Sequence, residues 1–288
     1  MSKIKPEVLV DCTCETGESP LWHPIEARVY WVDIPAGHLY RHAPATGKTE
    51  IFEIGTEVGG FTIQTDGALL LFMAKGAVAL WRDGKLQTVI EEIPEERDSR
   101  FNDVIADPQG RVFCGTMSSP KHPGRLYRLD TDRKITPVLE GVGTSNGMGF
   151  TAKDRLFYHT DTRTHEIRIF DYDKSTGAIS TPRVFVKVTD PAGGPDGLTV
   201  DADGCVWSAR WGGACLVRYD PAGQELFRID FPATKVSCLT FGGKDYTDMF
   251  VTTAGGNDRK DNGPGAGALF HLNLGIKGVP EFFSRIQV

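Results

Sequence analysis

A short sequence pattern recurs along the chain and constrains the fold more than any other feature. In each copy a polar or small residue opens an apolar strand, a turn containing Asp, Gly or Lys follows, and a second apolar strand comes next. The clearest copies are residues 102–114 (NDVIADPQGRVFC), 146–158 (NGMGFTAKDRLFY) and 196–208 (DGLTVDADGCVWS). Weaker copies begin at Glu18, Gly59 and Ser237, so that the six starts are 41, 43, 44, 50 and 41 residues apart. This period is typical of the four strands of a propeller blade.

The repeat predicts an all-β fold, a six-bladed β-propeller with four-stranded antiparallel blades in one domain spanning residues 1–288. Each unit also contains a third strand rich in Tyr, Leu or Arg, and no segment shows a sustained helical period. Strand-like segments at 7–11 and 280–284 flank the repeats. We expect these N- and C-terminal strands to share a blade and close the ring, because an open array would leave an exposed edge. A double β-sandwich is the alternative.

Composition and charge exclude several classes of partner. The chain is 40% apolar with a formal net charge of −6, and its basic residues are scattered, so we expect no nucleic-acid partner. No run approaches the roughly 20 apolar residues of a membrane helix, and residues 1–6 lack the apolar region of a signal peptide. Six cysteines without a CxxC pair predict free thiols and a cytoplasmic protein. The oligomeric state stays open, and a monomer is compatible with the sequence.

The first residues of the six inner strands form the candidate site. In a propeller these strands line the central channel, so residues far apart in sequence meet at one mouth. In chain order the residues are Glu18, Gly59, Asn102, Asn146, Asp196 and Ser237. Two carboxylates in a narrow channel are costly without a cation. We predict one divalent metal ion held by Glu18, Asn146 and Asp196, with Ca²⁺ favoured and Mg²⁺, Mn²⁺ or Zn²⁺ possible. The alternative is that these residues only cap strand starts.

Three residues near this column invite a functional interpretation that we do not adopt. Residues 143–147 spell GxSxG, but that pattern acts as a nucleophile elbow only between a strand and a helix, and strand-like segments follow Ser145. We expect His159 to be a hydrogen-bonded channel or core residue. Asp103 points away from Asn102 by strand alternation, so we expect it to be structural.

Five groups of residues occur in the order found in a known family. The groups are Glu18-Ser-Pro-Leu-Trp22, Arg100-Phe-Asn-Asp103 with Gly115-Thr-Met117, Asn146-Gly147, Tyr158-His-Thr-Asp161, and Pro195-Asp-Gly197 with Trp211-Gly-Gly213. In this order they resemble the senescence marker protein/gluconolactonase/luciferin-regenerating enzyme family over residues 15–255. The resemblance implies a six-bladed propeller with a divalent metal in its channel and hydrolysis of sugar lactones.

The resemblance also implies roles for individual residues. Glu18, Asn146 and Asp196 would hold the metal. Arg100 and Asn102 would contact the substrate. Asp196 would double as the general base, a role that suits a carboxylate beside a Lewis-acidic metal. Animal members carry a substrate-contacting glutamate where this chain has Ser119, so the resemblance leaves the preferred sugar open.

These observations predict metal-dependent hydrolysis of a sugar lactone to the aldonic acid, a carboxylic ester hydrolase reaction. The substrate would be an aldonolactone such as gluconolactone or a pentonolactone, and the partner is therefore a small molecule, with neither nucleic acid nor membrane involved. Two alternatives stay open. One is a non-catalytic propeller that binds calcium or presents an interaction face, and the other is an organophosphate or aryl-ester hydrolase that uses the same site.

Overall fold

The chain folds into six four-stranded antiparallel sheets arranged as the blades of a propeller, which confirms the predicted fold. The computed structural model describes residues 5–151, 155–189 and 193–288. The predicted turn at 152–154 and most of the N-terminal segment 1–6 lie outside the described residues. Within that range, helix is limited to 3₁₀ turns at Pro94–Glu96, Thr162–Thr164 and Arg259–Asn262. Among the described residues, none of the helical segments has the length and hydrophobicity of a membrane-spanning helix.

The strands of each blade follow one another outwards from the channel. Blade 1 contains β2 (Gly17–His23), β3 (Arg28–Asp33), β4 (His38–Ala43) and β5 (Lys48–Glu53). Blade 2 contains β6 (Val58–Ile63), β7 (Leu69–Met73), β8 (Val78–Arg82) and β9 (Lys85–Ile90). Blade 3 contains β10 (Phe101–Ala106), β11 (Val112–Thr116), β12 (Gly124–Leu129) and β13 (Ile135–Val142).

The second half of the chain repeats this arrangement. Blade 4 contains β14 (Ser145–Phe150), β15 (Leu156–Asp161), β16 (Glu166–Asp173) and β17 (Ala178–Lys187). Blade 5 contains β18 (Gly194–Val200), β19 (Val206–Trp211), β20 (Cys215–Tyr219) and β21 (Glu225–Asp230). Blade 6 contains β22 (Val236–Gly242), β23 (Asp248–Thr253), β24 (Leu269–Asn273) and, as its outermost strand, β1 (Glu7–Val10).

Terminal strands close the ring as predicted, but one of them differs from the expected segment. β1 pairs antiparallel with β24, so strands from both ends of the chain share blade 6. Residues 280–284, which we expected to be the closing strand, do not form it. The long connection after β23 delays the third strand of blade 6 to Leu269–Asn273, and this strand takes the place beside β1 before the chain reaches residue 280.

Aromatic pairs hold neighbouring blades together all the way round the ring. Successive side chains of a strand point to opposite faces of its sheet and so toward the two neighbouring blades, where large aromatic rings bury the most area. At least one pair occurs at each interface, and these six have centroids 5.3–6.5 Å apart: Tyr30–Phe61, Phe72–Phe101, Phe113–Phe150, Phe185–Tyr219, Trp207–Phe241 and Trp22–Phe250. The core is therefore a series of clusters between blades, and the ring is continuous.

Glycines allow the inner strands to pack closely at the channel mouth. A Cβ on Gly59 would lie 2.1 Å from the carbonyl oxygen of Phe101 on the next inner strand. A Cβ on Gly147 would lie 2.3 Å from the backbone nitrogen of Leu198. Side chains at these positions would push adjacent blades apart. The Asn-Gly and Asp-Gly pairs of the repeat therefore combine a polar side chain at the mouth with close contact between blades.

The C-terminal segment 277–288 crosses the end of the channel opposite the mouth. Its backbone is hydrogen-bonded to the turn of blade 5 at Ala202 and to blade 3 at Gly110. At blade 2, the side chain of Gln64 donates to the carbonyl oxygen of Ile286 at 2.8 Å and accepts from its N–H at 3.1 Å. The segment thus ties together blades that are distant around the ring.

Replacing Gln64 with alanine should destabilise the protein. Gln64 is 6% exposed, and its loss leaves two buried backbone groups of Ile286 without partners, at a cost of about 1–3 kcal/mol each before solvent rearranges. We expect the free energy of unfolding in urea to fall by about 2 kcal/mol. Gln87→Ala, on the exposed face of β9, is the control and should change stability by less than about 0.5 kcal/mol. Equal stability of the two variants would contradict the assigned role of the segment.

Candidate active site at the mouth of the central channel

The five predicted site residues line one cavity at the mouth of the channel. The cavity measures about 320 Å³, and its walls include Glu18, Arg100, Asn102, Asn146 and Asp196. These come from blades 1, 3, 4 and 5, and they meet because the inner strands begin at the same end of the ring. The other two members of the column do not line the cavity. Gly59 packs against β10, and the Ser237 hydroxyl donates to the carbonyl oxygen of Gly17 at 2.6 Å.

Further residues of the cavity wall were not predicted as site residues. They are Thr16, Ile34, Met117, Thr144, Thr162 and Trp211. Most lie in the loops that lead into inner strands or out of second strands. Met117 and Trp211 belong to the motifs that carry the family resemblance, and Trp211 could have been expected to shape the mouth or only a blade turn. Thr144 precedes Ser145-Asn146, and Thr162 follows the Tyr158–Asp161 group. Ser119 is not part of the wall, and its hydroxyl accepts hydrogen bonds from the backbone N–H groups of Lys121 and His122.

A bulge at the start of each inner strand shapes the mouth. The register between β2 and β3 shifts between Glu18 and Leu21, and corresponding shifts occur at the starts of the other five inner strands. At the first bulge Ser19 has φ of 49°, a left-handed conformation that costs of the order of 1 kcal/mol or more for a non-glycine residue. This conformation directs the Ser19 N–H to Oε2 of Glu18 at 2.8 Å. The carboxylate is thereby held at the mouth.

Amide side chains link blades 3 and 4 across the site. A guanidinium nitrogen of Arg100 donates to Oδ1 of Asn102 at 2.7 Å, and Nδ2 of Asn102 donates to Oδ1 of Asn146 at 2.7 Å. Nδ2 of Asn102 also donates to the carbonyl oxygen of Ser145 at 2.9 Å. Both amide hydrogens of Asn102 are therefore used within the protein. Its remaining capacity toward a substrate is a lone pair on Oδ1, whereas Arg100 retains unused N–H groups.

Three buried carboxyl groups repel one another at this site. Burial raises the pKa of Glu18 well above its ordinary value, and the charges of Asp196 and Asp103 raise it further. Burial and the charge of Asp103 likewise raise the pKa of Asp196 well above its ordinary value. For Asp103, burial raises the pKa to about 7. The guanidinium of Arg100 opposes these shifts, but it supplies one positive charge against three potential negative charges.

The position of Asp103 corrects the expectation drawn from strand alternation. Because the ladder between β10 and β11 is interrupted between Phe101 and Val104, Asp103 does not simply face away from Asn102. Its side chain is 6% exposed and lines a smaller cavity below the mouth, within electrostatic range of Glu18 and Asp196. Asp103 therefore contributes to the charge of the site without lining its upper cavity.

The donor set fits a hard divalent cation. The described residues contain no group of three or more His, Cys, Asp or Glu side chains that could hold a metal ion. The candidate ligands are instead two carboxylates, of Glu18 and Asp196, and the amide of Asn146. Asp196 is 4% exposed and has no hydrogen-bond donor among the described residues. The described residues that line the cavity include no His or Cys, which disfavours zinc. The charge of such a cation, together with the single positive charge of Arg100, would balance the three negative charges of ionised Glu18, Asp103 and Asp196.

Ser145 and His159 form a buried pair outside the cavity. The Ser145 hydroxyl lies 2.8 Å from Nε2 of His159, as a nucleophile and its base would. Ser145 is nevertheless fully buried within β14 and packs against Gly115, so a substrate has no access to it. Burial lowers the pKa of His159 to about 4, which keeps the ring neutral. The expectation of a hydrogen-bonded core histidine is confirmed.

Comparison with known proteins places this arrangement in a family. The sequence matches the SMP-30/gluconolactonase/LRE-like region over residues 16–255. The chain belongs to this family. It is 47% identical over 287 residues to pentonolactonase XacC of Haloferax volcanii, and the alignment covers 97% of this chain and 98% of the relative. It is 32% identical over 295 residues to regucalcin of Bos taurus, covering 98% and 99% of the two chains.

A solved relative in the SMP-30/gluconolactonase/LRE-like family has the same architecture. The crystal structure of regucalcin from Agrobacterium tumefaciens strain C58, a calcium-binding protein, superposes with a TM-score of 0.91. The two chains are 26% identical, and the superposition covers 99% of this chain and 98% of the other. The fold and the family resemblance inferred from the motifs are both confirmed.

Removing the charge of Asp196 should stabilise the metal-free protein. The pKa of Asp196 is higher in the folded than in the unfolded chain. The protonated carboxyl group therefore favours the folded state at low pH, and this stabilisation is lost as the pH rises through the folded-state pKa. At pH 8 in chelator, Asp196→Asn should raise Tm by at least about 2 °C, equivalent to roughly 1 kcal/mol. The difference between the variant and the wild type should shrink as the pH falls toward about 4.

Scanning calorimetry or circular dichroism measures this shift. The control is Asp245→Asn, an exposed residue of blade 6, which should leave Tm within about 1 °C of the wild type. Added Ca²⁺ should raise Tm less for Asp196→Asn than for the wild type. A Tm below that of the wild type for Asp196→Asn in chelator would show that the carboxylate is stabilised by its surroundings rather than opposed by them.

Proposed function

We propose that this protein hydrolyses a sugar lactone to the corresponding aldonic acid at the channel-mouth cavity. The observation that carries the proposal is the 47% identity with a pentonolactonase over nearly the full length of both chains. The cavity of about 320 Å³ suits a small ring compound, and its polar groups converge from several blades. We propose that the substrate is an aldonolactone such as a pentonolactone or gluconolactone. The whole chain would form the single propeller domain that carries out the reaction.

The proposed site uses one divalent cation held by Glu18, Asn146 and Asp196, with Ca²⁺ favoured. When bound, such an ion polarises a carbonyl oxygen and lowers the pKa of water. Support comes from the charge balance of the site and from the relationship to regucalcins, one of which is a calcium-binding protein. Oxygen donors alone are the ligands that Ca²⁺, Mg²⁺ and Mn²⁺ prefer, whereas Zn²⁺ usually takes His or Cys.

Asp196 is the proposed general base. As water adds to the lactone carbonyl carbon, Asp196 accepts a proton from that water. The bond between the carbonyl carbon and the ring oxygen then breaks, and the ring oxygen takes the proton from Asp196. The product is the open-chain aldonic acid, which ionises near neutral pH and releases one proton for each turnover. The absence of a hydrogen-bond donor to Asp196 among the described residues leaves its oxygens available for this role.

Arg100 and Asn102 are the proposed substrate-binding residues. Arg100 already donates to Oδ1 of Asn102 and to the carbonyl oxygen of Phe101, and these bonds fix its guanidinium group. Its unused N–H groups can donate to ring or side-chain oxygens of the sugar. Oδ1 of Asn102 can accept a hydrogen bond from a sugar hydroxyl through its second lone pair.

Six free thiols among the described residues fit a reducing compartment, and we propose that the protein acts in the cytoplasm.

Chelation and replacement of the base test the proposal directly. Treatment with EDTA should abolish lactone hydrolysis, measured as acid release, and a divalent cation should restore it. In the metal-loaded protein Asp196→Asn should lower kcat by about 10²–10⁴-fold. The control Asp245→Asn should keep wild-type rates. Full activity after exhaustive chelation would exclude the metal-dependent mechanism, and comparable kcat/KM on phosphotriesters or aryl esters would exclude the proposed specificity.

Replacing Arg100 with lysine should weaken substrate binding. Lysine keeps the charge but loses the planar array of donors that binds two oxygens at once. We expect kcat/KM for the lactone to fall by about 10–100-fold, mainly through KM. Arg97→Lys is the matched control, because Arg97 lies in the same loop and pairs with the half-buried Glu92 instead of the site. Equal kcat/KM for Arg100→Lys and the wild type would remove Arg100 from the substrate site.

A further inference from the structure

A directed chain of hydrogen bonds continues beyond Asn146 to the strand that carries Asp196. Nδ2 of Asn146 donates to the hydroxyl of Thr162 at 2.7 Å, and this hydroxyl donates to the carbonyl oxygen of Pro195 at 2.8 Å. Pro195 directly precedes Asp196 in β18. The whole chain therefore runs from Arg100 through Asn102, Asn146 and Thr162 to the backbone of blade 5.

The two ends of this chain determine the direction of every bond in it. A guanidinium group only donates, so the atom of Asn102 that it contacts must be the amide oxygen. A carbonyl oxygen only accepts, so the Thr162 hydroxyl must donate to Pro195 and must accept from Asn146. The Asn146 atom facing Thr162 is therefore nitrogen. Its oxygen then faces Asn102 and the cavity, where a cation would need it.

We propose that Thr162 is a positioning residue that holds the amide of Asn146 with its oxygen toward the cavity and couples it to the strand of Asp196. This inference rests on the proposed metal site, because it concerns how one of that site's ligands is oriented. Partners in contact with a ligand typically determine its orientation and affect affinity for the metal. Thr162 itself lines the cavity, and its hydroxyl both accepts from Asn146 and donates to Pro195, so its proposed role is to hold that amide in place.

The surroundings of Thr162 hold its hydroxyl in place. Thr162 opens the short helix Thr162–Thr164, which Asp161 caps by accepting from the N–H of Arg163 at 3.2 Å. The N–H of Thr162 donates to the carbonyl oxygen of Thr144 at 3.2 Å. A Cβ placed on Gly194 would lie 3.0 Å from Cγ2 of Thr162, so the methyl group packs against the backbone of blade 5. The hydroxyl is thereby directed between Asn146 and Pro195.

Valine at position 162 would retain the shape but remove both hydrogen bonds. Nδ2 of Asn146 and the carbonyl oxygen of Pro195 would then lack a partner, and the amide would keep its orientation only through Asn102. Serine would keep the hydroxyl and lose only the methyl group. The matched control is Thr164→Val in the same helix, because among the described residues the hydroxyl of Thr164 bonds only to the carbonyl oxygen of Asp161, at 3.2 Å.

Calorimetric titration of chelator-treated full-length protein with CaCl₂ measures the effect on affinity. We expect Thr162→Val to raise Kd for Ca²⁺ by about 10–100-fold, and Thr162→Ser and Thr164→Val to stay within about threefold of the wild type. Circular dichroism and Tm establish that each variant is folded. A folded Thr162→Val with the Kd of the wild type would overturn the assignment.

A second measurement does not depend on metal binding. In ¹⁵N-labelled metal-free protein, the side-chain NH₂ protons of Asn146, assigned by their loss in Asn146→Asp, should exchange slowly with water. They should shift and exchange faster in Thr162→Val but not in Thr162→Ser. Unchanged Asn146 protons in Thr162→Val would overturn the role of Thr162, whether or not Ca²⁺ binds. Failure of the wild type to bind Ca²⁺, Mg²⁺ or Mn²⁺ would instead refute the metal site of the proposed function.

Discussion

The close approach of the six inner strands around the channel is the constraint on which the candidate site depends. Aromatic pairs at all six blade interfaces draw the blades together, and glycines such as Gly59 and Gly147 let adjacent backbones touch. The first residues of these strands then have no space to separate. Polar side chains from four different blades are consequently held at the mouth by the packing of the whole ring rather than by local structure.

This packing holds together charges that would separate in a less rigid protein. Glu18, Asp103 and Asp196 are each at most 6% exposed, and burial and mutual repulsion raise the pKa of both Glu18 and Asp196. The stability of the remaining fold has to offset this cost, as at other functional sites that store unfavourable interactions. A cation that binds here is attracted by groups that are already dehydrated and in position. The same repulsion that destabilises the metal-free site therefore favours cation binding.

The hydrogen-bond chain from Arg100 to Pro195 determines how the polar groups of the site are oriented. It has a donor-only group at one end and an acceptor-only group at the other, so neither amide within it can rotate by half a turn without losing bonds. The chain also crosses the interfaces between blades 3, 4 and 5. A group oriented in advance in this way needs little rearrangement when a ligand binds, which is the property that an efficient site requires.

The sequence by itself determined the number of blades and the convergence of Glu18, Asn102, Asn146 and Asp196, because a regular repeat places equivalent residues at equivalent points of a closed ring. It did not determine the direction of Asp103, since a bulge interrupts the alternation from which that direction was inferred. The path of residues 280–284 was also unpredictable from the sequence, because β24 precedes them in the chain and already occupies the place beside β1 in blade 6. Only the tertiary structure decided that Thr162 joins Asn146 to Pro195, since that contact depends on angles between blades that no local pattern records.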